Sequence, residues 1–347
     1  MAISIRFTKP TLTRKDMDAV LQTMVDEKIG PGEKKREFVK LFSAFIGSKD
    51  GIVLRSFSDV IAYSLSALNL EKGSTIALSL FSPKIYEYVI KKMGYETYFT
   101  DVDEFGLPSI EDVQNGMEIS GVKAIVVFSP LGSMYKELEG YRELSIPIIE
   151  DVSESLCSEF GELKAGMLGD IVLCSFEEDG IISTAGGAIA VSRKDDYIDA
   201  LKKELDKTKR YNELPDMNAS LGIVQLVKIE STIERRREIF KAFQQSLQKG
   251  DGKSFLSGNI NFNPNGFTFP VMIETRIDEA IAFAEKYGIE VRRSFKDSIG
   301  NRFQEKYDRY PNAVGPLSRC LSFPLYPFLK STDVDTIEKV LRHVGQI

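Results

Sequence analysis

The sequence predicts an α/β protein in two parts. A large domain rests on a mostly parallel sheet with helices on both faces, and a small α+β domain follows it. Three observations point there. Short Val- and Ile-rich runs alternate with amphipathic helical runs through the first two-thirds of the chain. Those runs are continuous rather than alternating in polarity, as strands are when helices cover both faces of a sheet. A stretch rich in Gly, Asn, Ser and Lys then separates this pattern from a second, shorter set of elements.

Taken in order, residues 52–54 read as a strand and 59–70 as the helix behind it. Residues 75–80 and 83–93 repeat the pair, and strands follow at 96–100, 123–128, 147–150, 171–175 and 187–191. Residues 218–248 carry one helical pattern longer than an ordinary helix, expected to bridge the domains. Residues 249–265 read as a linker. A strand at 267–273, helices at 278–287 and 333–344 and a strand near 289–292 complete the small domain. The expected domains are 1–240 and 241–347. No internal repeat appears.

A chain of 347 residues suits this division, and 43% hydrophobic with 28% charged residues is enough for a packed core. A net charge of −6 argues against a nucleic-acid surface. Arg235-Arg236-Arg237 lies in the long helical pattern with acids nearby and reads as a solvated face. Cys157, Cys174 and Cys320 are too few and scattered for a disulfide framework, and the sole histidine is His343, so no His/Cys metal site is expected. Neither an N-terminal signal region nor a run of about 18 apolar residues occurs, which predicts a cytoplasmic protein without a membrane partner.

Four segments carry a family resemblance. They are IGPGEKKREFVKLFSAFIGSK, FTDVDEFGLPSIEDV, IEDVSESLCSEFGELKAGMLGDIVLCSF and CLSFPLYPFLKSTDVDTIEKVL. In that order, over nearly the whole chain, they resemble the DegT/DnrJ/EryC1/StrS family of pyridoxal-phosphate-dependent nucleotide-sugar aminotransferases. The resemblance implies the type I aminotransferase fold with a seven-stranded sheet, and a homodimer with sites at the subunit interface.

It also implies site residues. Asp151 would pair with the pyridine nitrogen of the cofactor and keep the ring an electron sink; its plain alternative is a helix cap. Glu154 would lie on the ring's hydroxyl side, or simply face solvent. Ser175 would touch the phosphate. The family block S-F-N-G-N-K-I-I-T-T-S-G-G-G runs without a gap against Ser175–Ala188, which puts the Schiff-base lysine on Gly180, beside Glu177, Glu178 and Asp179. Glycine offers neither the imine nor the proton shuttle, and the shuttle alone is worth about 10²–10⁴-fold in rate. The phosphate segment S-S-G-T becomes Arg55-Ser56-Phe57-Ser58, with Phe57 where the glycine stood. Small residues there let backbone N–H groups reach a phosphate, which a phenyl ring would crowd. Ser58 keeps a hydroxyl. The stacking aromatic falls on Pro83, with Phe81 or Tyr86 as shifted substitutes. Asn212 matches the asparagine contributed to the partner subunit, one residue out of register.

Three functional readings follow. In the first, the chain is a degenerate family member. It holds pyridoxal or pyridoxamine phosphate non-covalently or not at all, keeps a nucleotide-sugar pocket, and works alone or beside an active paralogue. The second is an active nucleotide-sugar aminotransferase of surface-polysaccharide or antibiotic-sugar biosynthesis. The third is a non-pyridoxal enzyme or binding protein reusing the cleft, with Asp151, Glu154 and the acids at 177–179 as acid/base groups or a cation site.

Overall fold

The computed structural model describes residues 3–256, 260–274, 276–303 and 305–344. In chain order the elements begin with α1 (Arg14–Val25), α2 (Glu33–Phe45), β1 (Asp50–Leu54), α3 (Phe57–Ala67), β2 (Thr75–Ser79), α4 (Lys84–Lys92) and β3 (Glu96–Thr100). Next come α5 (Ile110–Ser120), β4 (Val122–Phe128), α6 (Glu139–Glu143), β5 (Ile148–Asp151), the hairpin β6 (Glu159–Phe160) and β7 (Leu163–Lys164), β8 (Ile171–Ser175), β9 (Ala188–Ser192), α7 (Asp195–Thr208), α8 (Asp216–Val227) and α9 (Ile229–Gln248). The chain finishes with β10 (Lys253–Ser254), β11 (Phe262–Asn263), β12 (Phe269–Met272), α10 (Ile277–Lys286), β13 (Arg292–Arg293), α11 (Pro311–Arg319), β14 (Cys320–Phe323) and α12 (Ser331–Val344).

Seven strands form the main sheet in the order β1-β9-β8-β5-β4-β2-β3. Pairing is parallel from β3 through β8, and β9 lies antiparallel to both β8 and β1. Only β9 therefore runs against the rest, and the expected mostly parallel sheet is present. Alternation along each strand sends side chains to opposite faces. Val53, Val127 and Val172 pack with Phe38 and Phe42 on one face. Leu54, Val126 and Leu173 pack with Val60, Ile61 and Tyr86 on the other. Both faces are dry, which is why the strands read as continuous apolar runs.

A four-stranded antiparallel sheet, β10-β12-β14-β13, organises the small domain. Its core joins Phe269, Val271, Leu321 and Phe323 to Ile337, Val340 and Leu341 of α12 and to Ile239, Phe240, Phe243 and Leu247 of α9. Residue 240 thus falls inside a continuous helix whose C-terminal half belongs to the small core. Ile5 packs there too, and Ser4 and Ile5 donate their backbone N–H groups to the Gly288 carbonyl. Within the expected linker, β10 and β11 pair with β12 and β6, while 257–259 lie outside the described residues.

Two expectations change. The single helix over 218–248 is two, broken at Lys228 (φ −104°, ψ 10°), whose Nζ bonds Asp16 and Thr13 at the start of α1. The arginine run is not a solvated face. Arg235 is exposed, but Arg237 is half-buried against Glu159 and the Cys157 carbonyl, and Arg236 is buried. Ile229, Ile233, Arg236, Phe240, Phe243 and Leu247 form one inward stripe at helical spacing, with Arg236 inside it. Among the described residues no helix is long and apolar enough to cross a membrane.

The large domain is tied at its N-terminal side by Asp216, a buried acid that accepts from the backbone N–H groups of Gly32, Lys34 and Lys35 at the start of α2. Asp216→Ala leaves three donors without their acceptor, so unfolding in denaturant should show a loss of about 2–3 kcal/mol, against less than half that for Asp216→Asn.

Candidate functional site

β5 ends in two buried acids that face opposite ways. Glu150 accepts from the backbone N–H groups of Gly166, Leu168 and Gly169, which holds the excursion between β6 and β8. Asp151 points to the other face. Its Oδ2 accepts from the Tyr86 hydroxyl at 2.7 Å. Its Oδ1 accepts from the Ser153 hydroxyl at 2.5 Å and the Ser153 N–H at 2.9 Å. Ser175 enters through its backbone, donating its N–H to Ser153 Oγ at 2.8 Å. Burial pushes the Asp151 carboxyl above the usual range, against the hydrogen bonds from Ser153 and Tyr86. Burial first, then the Asp151 charge, push the Tyr86 phenol well up, so it stays a donor.

Tyr86 is the largest feature of this cluster. It comes from the first turn of α4, is fully buried, and meets Phe57 edge-to-face with ring centroids 5.8 Å apart. Phe57 is the first residue of α3. Ser56 and Ser58 bond one another through their hydroxyls at 2.6 Å, and Arg55 is exposed. Asn212 lies against the same helix in its own chain. Its amide donates to Asp59 and the Tyr63 hydroxyl, and its carbonyl accepts from the Arg55 N–H.

The loop after β8 is pinned at both ends. Phe176 is buried between Phe38 and Phe42, and its carbonyl accepts from the N–H groups of Thr184 and Gly186. Gly186 and Gly187 have φ of +101° and +97°, a region that costs a side-chain-bearing residue strain. Between them Gly180 donates its N–H to the Glu177 carbonyl and closes a turn. A Cβ on Gly180 would stand 2.8 Å from the Ile182 carbonyl oxygen and 3.2 Å from that of Glu177. No side chain fits without moving the turn.

A cavity of about 210 Å³ opens between the domains. Glu154, Glu178, Asp179 and Gly180 line one wall with Phe81 and Pro83; Lys9, Arg236, Arg292, Arg293 and Lys296 reach it from the other side. Phe81 stacks on Phe295 of the small domain at 4.0 Å. Glu154 accepts from the Leu131 N–H at 2.6 Å, and burial raises its pKa to about 8, with the Asp151 and Asp179 charges adding to the rise. Of the site residues singled out in the sequence, Phe81, Pro83, Glu154, Glu178, Asp179 and Gly180 line this cavity. Asp151, Phe57 and Ser175 belong instead to the packed cluster around Tyr86, and Ser58 and Asn212 border α3. Among the described residues no group of three His, Cys, Asp or Glu is placed to hold a metal ion.

The model of the DegT/DnrJ/EryC1/StrS aminotransferase family matches residues 10–342. The chain belongs to this family. A relative, the UDP-4-amino-4,6-dideoxy-N-acetyl-beta-L-altrosamine transaminase of Campylobacter jejuni, is 24% identical over 97% of this chain and 98% of its own. Among solved structures, the aminotransferase TlmJ from Streptoalloteichus hindustanus superposes with a TM-score of 0.86 at 21% identity, covering 97% of this chain and 98% of its own. The GDP-4-keto-6-deoxy-D-mannose-3-dehydratase of E. coli, solved with bound hydrated PLP, gives 0.85 at 18% identity, covering 98% of this chain and 100% of its own. The fold is that of PLP-dependent aminotransferases.

Against that family frame, the residues of this chain do not fit a pyridoxal ring on Asp151. Asp151 is 1% exposed and its Oδ2 accepts from the buried Tyr86, so a pyridinium N–H would reach it only if the packing around it moved. Moving that packing means breaking a hydrogen bond to a charged group, worth roughly 1.5–3 kcal/mol, and an edge-to-face ring pair worth roughly 0.5–1.5 kcal/mol. Two residues escaped the sequence reading. Tyr86 stood only as a substitute stacking partner, and Arg236 was placed in solvent although its spacing from Ile233 and Phe240 marked it as inward.

Glu154 gives the cavity a measurable titration. Its folded pKa of about 8 lies above the ordinary 4.5, so the folded state holds a proton that the unfolded chain releases. The stability it contributes is present below pH 4.5 and is lost as pH rises towards 8. Denaturant unfolding of the wild type should weaken over that interval more steeply than that of Glu154→Gln. Parallel pH profiles would show the assignment to be wrong.

Proposed function

We propose that this family member does not transaminate, and that its interdomain cleft is a non-covalent pocket for a nucleotide sugar. The observation that carries the reading is the Tyr86–Asp151 hydrogen bond, which closes the acid to a cofactor ring. Gly180 supports it independently, since the turn excludes a Cβ where the family's lysine would stand. The nucleotide-sugar part rests on family membership and on relatives such as the Campylobacter jejuni transaminase. Any pyridoxal or pyridoxamine phosphate bound by this chain is held non-covalently and away from Asp151. Family membership also favours a second reading, aminotransfer with a lysine supplied by another chain such as an active paralogue. Purified protein mixed with pyridoxal phosphate should give no imine absorption band and no lysine adduct after borohydride treatment. A trapped adduct at one defined lysine, with turnover of an amino donor, would remove the first reading and establish the second.

The same proposal includes a homodimer. Met17, Leu21, Met24 and Val25 of α1 are 56%, 58%, 53% and 75% exposed and share one helix face by their spacing. An unpaired apolar stripe of this kind marks an interaction surface, and α1 packs on α8, whose Met217 and flanking Val227 are also exposed. Light scattering at micromolar concentration should return twice the chain mass, and Leu21→Asp should shift it towards the monomer. A wild-type monomer would rule the pairing out.

A further inference from the structure

The cavity wall includes a stretch of chain that is fastened at both ends and loose between them. At one end Ile5 is 4% exposed, packs in the small-domain core and pairs with Ile289, just ahead of the edge strand β13. Its carbonyl accepts from the Glu290 N–H at 2.9 Å. At the other end the Thr13 N–H is held by Asp16 at 2.8 Å, Lys228 Nζ reaches both residues, and α1 packs on α8 of the large domain. Residues 6–12 therefore cross from one domain to the other. Phe7, Thr8 and Lys9 line the cavity on the way. Among the described residues, none of 8–12 makes a hydrogen bond.

Phe7 is the one point of this crossing that is held. It donates its N–H to Glu290 Oε2 at 2.9 Å, and the Arg292 guanidinium lies over its ring, 4.5 Å from the centroid. The two groups that hold it also hold each other, since Glu290 Oε1 accepts from Arg292 Nε at 3.3 Å and Nη2 at 3.0 Å. All three residues are half-buried. A cation–π contact and an ion pair in such a setting are each weak. Segments with few buried contacts open locally at little cost in free energy. A fastening of this strength holds the segment in place and still lets it go.

We propose that residues 7–12 form a strap on the interdomain cavity, with Phe7 as its latch on Glu290 and Arg292. Fastened, Phe7, Thr8 and Lys9 wall the cavity. Released, they swing out between the fixed ends at Ile5 and Thr13 and open it. Ser322 lies beside the latch: it pairs with Arg292 across β13 and β14, which puts both on one face of the sheet, and it lines the cavity at 2% exposure. The strap works alike whatever the cavity holds, so it stands apart from the nucleotide-sugar reading.

The full chain has no tryptophan, so Phe7→Trp supplies a single fluorescent reporter, and indole suits a cation better than phenyl does. Its emission should be shielded from acrylamide. Adding Arg292→Gln should raise the quenching about threefold, whereas Arg293→Gln, whose partner is Asp278, should leave it unchanged. Ser322→Cys, with Phe7 in place, reads the cavity. Its alkylation by iodoacetamide, located by fragment masses, should accelerate about fivefold on adding Arg292→Gln, the gain in open population from losing one cation–π contact and one ion pair. Phe7→Ala, which keeps Arg292, should accelerate it as well, and Arg293→Gln should not. Cys320, buried two residues earlier, is the internal control and should stay slow in every form. An indole as open to acrylamide with Arg292 as without it removes the latch. Unchanged labelling at position 322 when the indole is released overturns the strap. So does equal acceleration of Cys320, because that reports a loosened small domain.

Discussion

Two adjacent acids end a fully buried strand, and the domain is arranged to satisfy them. Alternation along β5 sends Glu150 to one face of the sheet and Asp151 to the other, so no single loop can serve both. A buried carboxylate without partners would cost more than most of the packing around it contributes. Glu150 is met by three backbone N–H groups, which fixes the path from β6 to β8. Asp151 is met by a serine two residues on and by a phenol from α4. In its family the comparable acid would be served by a cofactor. Here the protein supplies its own aromatic donor, and the fold closes around it.

That substitution explains how the three departures from the family pattern belong together. Phe57 crowds a phosphate cradle, yet it also gives Tyr86 a ring to pack against. Gly180 forms a turn through Glu177 that has no space for a side chain. Each change alone would leave a damaged site with a buried hole or an unpaired group. Phe57 and Tyr86 belong to a packed cluster in which Asp151, Ser153, Ser175 and Tyr86 all have partners, and Gly180 lines the cavity beside it.

Much of the fold was legible because its signals are local. The strands at 96–100 and 171–175 match in full, and the other five of the main sheet shift by one or two residues, since dry strands between helix layers cannot be anything but apolar. The comparison that puts the family's lysine on Gly180 is local as well, a gapless run of residues, and the structure adds that Gly180 sits in a tight turn. What escaped was long-range. Tyr86 and Asp151 are 65 residues apart, and nothing in PKIYEYV says which tyrosine turns inward. The break at Lys228 was hidden because the groups its side chain meets, Asp16 and Thr13, lie far away in sequence at the start of α1. Arg236 differs in kind: its charge masks a periodicity in which, of three consecutive arginines, only the middle one shares the stripe of Ile233 and Phe240.

The asymmetry between the two halves of the site is informative. Asp151 is buried against Tyr86, whereas the cavity beside it is open and lined by charged residues. Filling a cavity with aromatic side chains is stabilising, and a chain with no use for the cleft would be expected to close it in the same way. Instead the cleft keeps a buried guanidinium whose hydrogen bonds go to backbone carbonyls, and a glutamic acid whose pKa burial raises to about 8. Both groups would be more stable replaced by apolar residues of similar size. Under the proposed reading, their persistence beside the packed Asp151 cluster would separate two requirements: chemistry on a cofactor ring, and recognition of the molecule that ring would act upon.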